Sequence, residues 1–138
     1  VMYRLIDLNI PFIYSSLHTS HKMLRERPDL VQRMVAAFAE IIYFVEKNPD
    51  KAKASIGKAM RTNDPQALQS AYDVYAKEIL DRTMVVPGKA VAETVELARE
   101  SGSPVRKKPE EIYDNTFVNN LEKSGFLKEI WGSENYKR

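Results

Sequence analysis

The stretch RPDLVQRMVAAFAEIIYFVEKNPDKA, residues 27–52, decides the fold of this chain. It opens with a proline followed by an acid, runs through an apolar-rich segment and ends in a second proline followed by an acid. Proline suits the first position of a helix because the N–H that it lacks would be unpaired there, and an acid in the first turn complements the helix dipole. The stretch therefore predicts a long helix from Pro28 to Lys47 and a new helix at Pro49.

Apolar side chains recur at helical spacing along the long helix and predict one broad stripe facing a core. The stripe consists of Leu30, Met34, Phe38, Ile41, Ile42 and Val45. The next helix, over residues 49–60, is short and alanine-rich, and Gly57 weakens its middle because glycine is a poor helix former.

The same proline signal recurs at Pro65 and Pro109, and Asn48 before Pro49 and Asp64 before Pro65 are also good N-caps. We predict further helices over residues 65–80, 89–100 and 109–123, and a short final helical anchor containing Leu127, Ile130 and Trp131. Gly102 and Pro104 end the helix over 89–100, whereas Gly125 takes a left-handed position after the helix over 109–123, with Phe126 packing back on it. The inward side chains of these helices are predicted to be Ile56, Met60, Leu68, Tyr72, Tyr75, Ile79, Val91, Val95, Ala98, Tyr113, Phe117, Val118 and Leu121.

The N-terminal segment alternates apolar and polar residues, which predicts a half-buried strand over residues 6–12 that Pro11 limits to a sheet edge. A second short strand is predicted over residues 12–17, followed by turn and cap chemistry from the serines and threonine at 15–20. The predicted fold is mainly α, with about five to six helices and one or two short N-terminal strands. We expect one helical domain over 1–138: a strand and crossover region at 1–20, helices at 21–131 and a frayed tail at 132–138.

The composition is that of an ordinary globular chain, with 43% hydrophobic and 29% charged residues among 138. The net charge of +2 is too small to favour a nucleic-acid partner. The absence of cysteine excludes disulfides, thiolate metal sites and cysteine nucleophiles. No apolar run is long enough to span a membrane, and the N-terminus lacks a signal-peptide pattern. The chain is therefore predicted to be cytoplasmic, mature, or a fragment whose targeting segment lies elsewhere.

The order of these elements resembles the solute-binding proteins of ABC importers for sulfonates, nitrate and thiamine precursors, the NMT1/THI5-like group. The resemblance is carried by Arg27-Pro28-Asp29-Leu30-Val31, Ala36-Ala37-Phe38, Glu46-Lys47-Asn48-Pro49-Asp50-Lys51-Ala52, Asp64-Pro65, Pro109-Glu110-Glu111, Asp114 and Gly125-Phe126. It extends from about Leu8 to Trp131 and matches the later half of such receptors.

This resemblance implies a fragment of a type-2 periplasmic-binding-protein α/β fold that lies outside the cytoplasmic membrane, in the periplasm or membrane-associated at the cell exterior. It also implies a small organic solute, with anions among the candidates, bound by lobe closure in the full-length protein. The implied partner is an ABC permease, and neither a cofactor nor catalysis is implied. Two short strands do not form a stable sheet alone. We therefore expect the isolated chain to form a homodimer.

The predicted ligand-binding residues lie between the predicted strand and the first helix. Hydroxyls and free N–H groups at a helix N-terminus can bind an anion. The candidates are Tyr14, Ser15, Ser16, His18 and Thr19. The alternative is that this stretch is a polar turn in which a serine or threonine caps the following helix. Such turns are more common than ligand sites.

Other chemistry has weaker support in the sequence. His18 and His21 have the spacing of two metal ligands on one helical face, but no nearby carboxylate or cysteine completes a site. The acids after Pro109 are explained by the helix dipole, and no nucleophile-elbow motif is present, so no catalytic residue is predicted. Residues 106–108 are three basic residues that could contact anionic lipid or an acidic patch of a permease, but three charges are usually a solvated linker and are too few for strong nucleic-acid binding. Tyr72 and Tyr75 could line a pocket or a partner groove, although at helical spacing such tyrosines are more often core contacts.

Two further interpretations remain open from the residues. One is a free-standing, dimeric, non-catalytic helical module that binds a protein partner in the cytoplasm. The other is a relative of the thiamine-pyrimidine synthases that share the resembled fold, whose chemistry would depend on residues outside this chain.

Overall fold

The computed structural model describes residues 13, 15–132 and 136 of the chain. Within these residues the structure is helical, as the sequence predicts. The α-helices are α1 (His21–Glu26), α2 (Pro28–Lys47), α3 (Pro49–Met60), α4 (Pro65–Val74), α5 (Gly88–Glu100), α6 (Thr116–Lys123) and α7 (Phe126–Trp131). A π-helical turn (Tyr75–Ile79) continues α4, and a 3-10 turn (Pro109–Glu111) precedes α6.

Proline sets the helix starts as predicted, with Pro28, Pro49 and Pro65 each at the first position of a helix. The Asp64 carboxylate caps α4 by accepting the backbone N–H of Gln66 at 2.9 Å. Asn48 acts differently, because its side-chain amide donates to the Phe44 carbonyl at 3.0 Å. Asn48 therefore closes the end of α2 instead of capping α3 through its side chain.

The chain divides into two compact units where the sequence predicts a single helical domain. We call residues 19–85 with 116–138 the larger unit, and residues 1–18 with 86–115 the smaller unit. The smaller unit is thus discontinuous in sequence, and its later segment is inserted between two segments of the larger unit.

The main core of the larger unit is formed where α2 packs on α6 and α7. One stripe of α2, small or β-branched throughout, is buried in it. The buried members of this core are Val31, Val35, Ala39, Ile42, Val118, Leu121, Leu127, Trp131 and Tyr136. Leu127 is 1% exposed and is the most completely buried large side chain among the described residues.

The predicted stripe on α2 is confirmed only in part. Leu30 and Val45 are half-buried, and Val45 packs against the buried Tyr72. Ile42 is buried, but Met34 and Ile41 are 52% and 51% exposed. Phe38 also lies on the exposed side, as does Phe44. The helix turns Val31, Val35, Ala39 and Ile42 inward because short, stiff side chains let α6 and α7 approach closely.

A second, smaller cluster joins α3 to α4 within the larger unit, where Ala52, Tyr72 and Ala76 are buried. Gly57 permits this close approach, since a Cβ there would lie 2.9 Å from the Thr62 carbonyl oxygen. Met60 and Tyr75, which were predicted to face inward, are instead 59% and 58% exposed.

The smaller unit is built around α5, which buries Ala90, Val91 and Val95. Beyond the helix, the Arg99 guanidinium donates to the carbonyls of Val105 and Lys107, at 3.3 and 3.1 Å. These bonds hold the loop that follows Gly102 against the end of α5.

The predicted continuous helix over 109–123 is wrong, because the chain leaves the 3-10 turn at Ile112 and becomes helical again only at Thr116. The Asn115 side chain instead forms hydrogen bonds with the backbone of Val86. Its amide donates to the Val86 carbonyl at 3.0 Å and accepts the Val86 N–H at 2.9 Å. Tyr113 also packs there, with its hydroxyl 2.7 Å from where a Cβ on Gly88 would lie. These non-local contacts override the helical pattern.

The remaining predictions concern the N-terminal strands, Gly125 and the C-terminal tail. The first predicted strand lies outside the described residues, and the described part of the second, Ile13 and 15–17, has no regular secondary structure. Gly125 is left-handed with φ 80°, as predicted. In the tail that was expected to fray, Tyr136 is only 4% exposed, and its hydroxyl lies 3.4 Å from Glu122 Oε1.

Candidate functional site

The ligand-binding segment predicted from the sequence lies on the surface. Ser15, Ser16, His18 and Thr19 are all exposed and precede α1 without regular structure, whereas Tyr14 lies outside the described residues. Ser16 Oγ lies 2.9 Å from His18 Nε2. The next residue, Ser20, is the N-cap of α1 and accepts the Met23 N–H at 3.1 Å. Ligand contact by this segment therefore remains a prediction that the exposed side chains permit.

Metal binding gains no support from the described residues. No group of three or more histidine, cysteine, aspartate or glutamate side chains lies together within residues 13, 15–132 and 136. The pair of His18 and His21 is therefore not completed by a carboxylate in that part of the chain.

A more structured candidate begins at the π-helical turn over residues 75–79. The Leu80 N–H donates to the Tyr75 carbonyl at 2.9 Å, five residues back, so the last turn of the predicted helix is widened. Single π-turns inside helices occur frequently at functional sites. This one moves the chain from α4 into an extended Leu80 and then to Arg82.

Arg82 is held in a largely buried ion pair with Glu46 of α2. Its Nε donates to Glu46 Oε1 at 2.8 Å, and its Nη2 donates to Glu46 Oε2. The two side chains are only 12% and 18% exposed. The hydrogen bond from Glu46 raises the pKa of Arg82 above its ordinary value, although burial acts in the opposite direction.

An aromatic pair also contacts the guanidinium. The Arg82 guanidinium carbon lies 4.3 Å from the centroid of the Trp131 ring, and Tyr43 meets that ring edge-on at 5.0 Å. A cation over an indole face is attracted by the ring quadrupole, most strongly where water is excluded. Glu46, Arg82, Trp131 and Tyr43 thus form one connected stack.

A cavity of about 660 Å³ opens beside this stack. Its lining combines apolar and charged side chains. The lining residues are Glu46, Tyr72, Ala76, Lys77, Glu78, Ile79, Leu80, Asp81 and Arg82. Its volume falls within the range of roughly 300–1,000 Å³ that is typical of small-molecule sites. None of the ligand-binding residues predicted from the sequence lines this cavity.

Most charged groups of the rim already have partners within the protein. Lys77 Nζ lies 2.5 Å from Asp73 Oδ1, and this pairing lowers the pKa of Asp73 and raises that of Lys77. Asp81 Oδ1 accepts both the backbone N–H and the hydroxyl of Thr83 at 2.6 Å. The polar lining is of a kind that can hold a small polar solute by hydrogen bonds.

Little in the sequence indicated this site. Glu46 and Arg82 are 36 positions apart, and neither belongs to a recognisable motif. Two signals were usable. Tyr72 had pocket lining as its less common predicted role, and it lines the cavity. Trp131, the single tryptophan of the chain, was assigned by the apolar pattern only to a terminal anchor. The widened turn at Tyr75 could not be distinguished from ordinary helix.

Neither a protein-family model, nor a curated protein, nor a solved structure matches this chain. The family resemblance consequently rests on the motif order described above. Among the described helices, none combines the length and the apolar character that crossing a membrane requires.

Proposed function

We propose that this chain is part of an extracytoplasmic solute-binding component of an ABC importer, whose complete form binds a small organic solute, with anions as the leading class. The observation that carries the proposal is the connectivity. The segment Val86–Asn115 is inserted between two segments of the larger unit, and its ends are joined through the Asn115 amide. A chain that passes repeatedly between compact units is expected of a receptor built from two lobes.

The helix order adds support from the sequence side. Four of the motifs that carry the resemblance coincide with observed helix boundaries, in the order that the resemblance requires. They are the helix starts at Pro28, Pro49 and Pro65 and the glycine stop at Gly125. The chain would contribute the helical framework of the receptor and carry no chemistry of its own. An ABC permease would be its protein partner.

The coding sequence upstream of Val1 provides the first test. A receptor predicts alternating strand and helix patterns there, preceded by a signal peptide or a lipoprotein cysteine. Translation that starts at Met2 would contradict the proposal and favour a free-standing module.

Ligand binding by the whole encoded protein provides the second test. Thermal denaturation should be followed with sulfonates, nitrate and pyrimidines, one at a time. A ligand at 100 times its Kd stabilises the native state by about 2.7 kcal/mol, which is a shift of several degrees in Tm. If no compound in the panel shifts Tm, a receptor for these classes is excluded.

Two sets of variants then locate the site. Ser16→Ala with His18→Ala tests the predicted segment, with the exposed neighbour His21→Ala as its control. Lys77→Gln tests the cavity rim, with Lys58→Gln, an exposed lysine on α3, as its control. The variant that abolishes the ligand-induced Tm shift identifies the site, and an unchanged shift in both excludes both locations.

A second candidate, a free-standing helical interaction module, is favoured by one observation. Met34 and Ile41 are more than half exposed on the longest helix, in a position where a protein partner could cover them. In that case no small molecule should shift Tm, and the protein should remain in the cytoplasmic fraction of cells.

A further inference from the structure

Helix α2 carries a second apolar stripe besides the one in the core, and we call it the outer face of α2. Its members recur at alternating steps of four and three residues, the spacing of a two-helix seam. They are Leu30, Met34, Ala37, Ile41 and Phe44, with Phe38 alongside. The large side chains among them together expose on the order of 300–400 Å² of apolar surface, as much as the largest patches on typical monomers.

We propose that two copies of this chain associate through the outer face of α2, with the helices antiparallel about a two-fold axis near Ala37. A two-fold contact requires a surface that is complementary to itself. The outer face meets that requirement in its apolar residues, because Met34 and Ile41 lie about equally far on either side of Ala37. The small side chain of Ala37 at the axis lets the two helices approach closely.

Charge complementarity selects this arrangement. Arg33 and Glu40 are both exposed and lie two helical turns apart, on the same edge of the outer face. In an antiparallel pair, Arg33 meets Glu40 of the partner subunit, and the symmetry of the pair creates this contact twice. In a parallel pair, Arg33 and Glu40 would instead face the apolar edge that contains Phe38 and Val45.

The internal contact of Arg33 does not prevent this pairing. Arg33 Nη2 lies 3.3 Å from Asp29 Oδ2, but the two side chains are 70% and 58% exposed. Exposed pairs of this kind contribute little to stability, so the guanidinium is free to reorient toward the partner's Glu40. The small size of the face predicts a dimer of micromolar rather than nanomolar affinity.

Sedimentation equilibrium of the full 138-residue chain tests the proposal. The monomer mass is 15.8 kDa, and a reversible species of twice that mass is expected in the micromolar range. Ile41→Asp should weaken the dimer at least ~100-fold, because each interface then loses two apolar side chains and gains two buried charges. The matched control is Leu97→Asp on α5, since Leu97 is 54% exposed against 51% for Ile41. Circular dichroism should show that both variants keep their helices.

A charge swap tests the orientation. Arg33→Glu alone and Glu40→Arg alone should each weaken the dimer by roughly 5- to 10-fold, because both contacts become repulsive. The double variant Arg33→Glu with Glu40→Arg should restore wild-type affinity, since the pair is re-formed between subunits with its signs reversed.

A chain that stays monomeric at high concentration would overturn the proposal. So would a dimer that is insensitive to Ile41→Asp or equally sensitive to Leu97→Asp, and so would a double charge variant that is not rescued. These outcomes are independent of the proposed function, because the mass of the isolated chain does not depend on whether a solute shifts the Tm of the whole protein.

Discussion

The two apolar faces of α2 differ in composition as well as in burial. The buried face presents Val31, Val35, Ala39 and Ile42 to α6 and α7, whereas the outer face presents longer side chains such as Met34 and Phe38. Both faces have helical periodicity, and the outer one is the richer in large apolar residues. The contrast shows that side-chain length and branching, more than hydrophobicity alone, decide which stripe of this helix enters the core.

Substitution of two adjacent isoleucines, one on each face, tests whether the two faces contribute differently to stability. Ile42→Ala should lower the free energy of unfolding by about 2–5 kcal/mol, because it leaves a cavity in the core. Ile41→Ala should change it by no more than about 0.5 kcal/mol, because the side chain is half exposed and alanine is the better helix former. Urea denaturation at submicromolar concentration, where the monomer dominates, measures both values. Equal losses would mean that the two faces are not distinct.

The next largest effect on stability is expected at the ion pair between Arg82 and Glu46, which lies near the C-terminal end of α2. Glu46→Gln should cost about 2–3 kcal/mol, because the guanidinium of Arg82 loses a charged acceptor where little water can replace it. Arg33→Met, which breaks the exposed pair with Asp29, should cost less than about 0.5 kcal/mol. Chemical denaturation measures the free energy of unfolding of both variants. If Glu46→Gln leaves that free energy unchanged, the Glu46–Arg82 pair is solvated.

A smaller effect is expected in the smaller unit. Asn115→Ala removes two part-buried hydrogen bonds to Val86 and should cost about 1–2 kcal/mol. Native-state hydrogen exchange should show faster exchange of the Val86 N–H, with the amides of α2 unchanged. Asn119→Ala, on the exposed side of α6, is the matched control, and equal acceleration in it would contradict a specific role for Asn115.

The smallest effect concerns acid stability at the surface. The partners Lys77 and Gln69 lower the pKa of Asp73 below its ordinary value of 3.8. The charged form therefore stabilises the fold above that value, and the contribution is lost as pH falls through the lowered pKa. Asp73→Asn should lose less stability on acidification than the wild type, with the two proteins compared by thermal denaturation between neutral pH and pH 2. Parallel curves would show that Asp73 does not contribute.

The helix starts were predictable because their determinants are local. Pro28 and Pro49 fix their helices through one backbone position each, and the Asp64 carboxylate adds a cap by accepting the N–H of Gln66, two residues along the chain. The same local rule failed at Pro109, because Asn115 is committed to Val86, a residue 29 positions away. Contacts at that separation leave no periodic trace in the sequence.

The candidate site was predictable to a smaller degree for the same reason. The segment at Ser15 to Thr19 was recognisable by its hydroxyls, and the structure places it on the surface. The cavity beside Arg82 depends on a widened turn and on a pair of charges brought together from α2 and the loop after α4. Neither feature can be read from residue spacing.

The double hydrogen bond between Asn115 and Val86 has a consequence for how the chain can be rearranged. Because the ends of the inserted segment meet, Val85 and Thr116 are also close enough to be joined by a short glycine-serine bridge. We therefore expect that the segment from Val86 to Asn115 can be deleted or replaced while the flanking segments of the larger unit stay connected. The Asn115 side chain marks the two positions at which the chain would be rejoined.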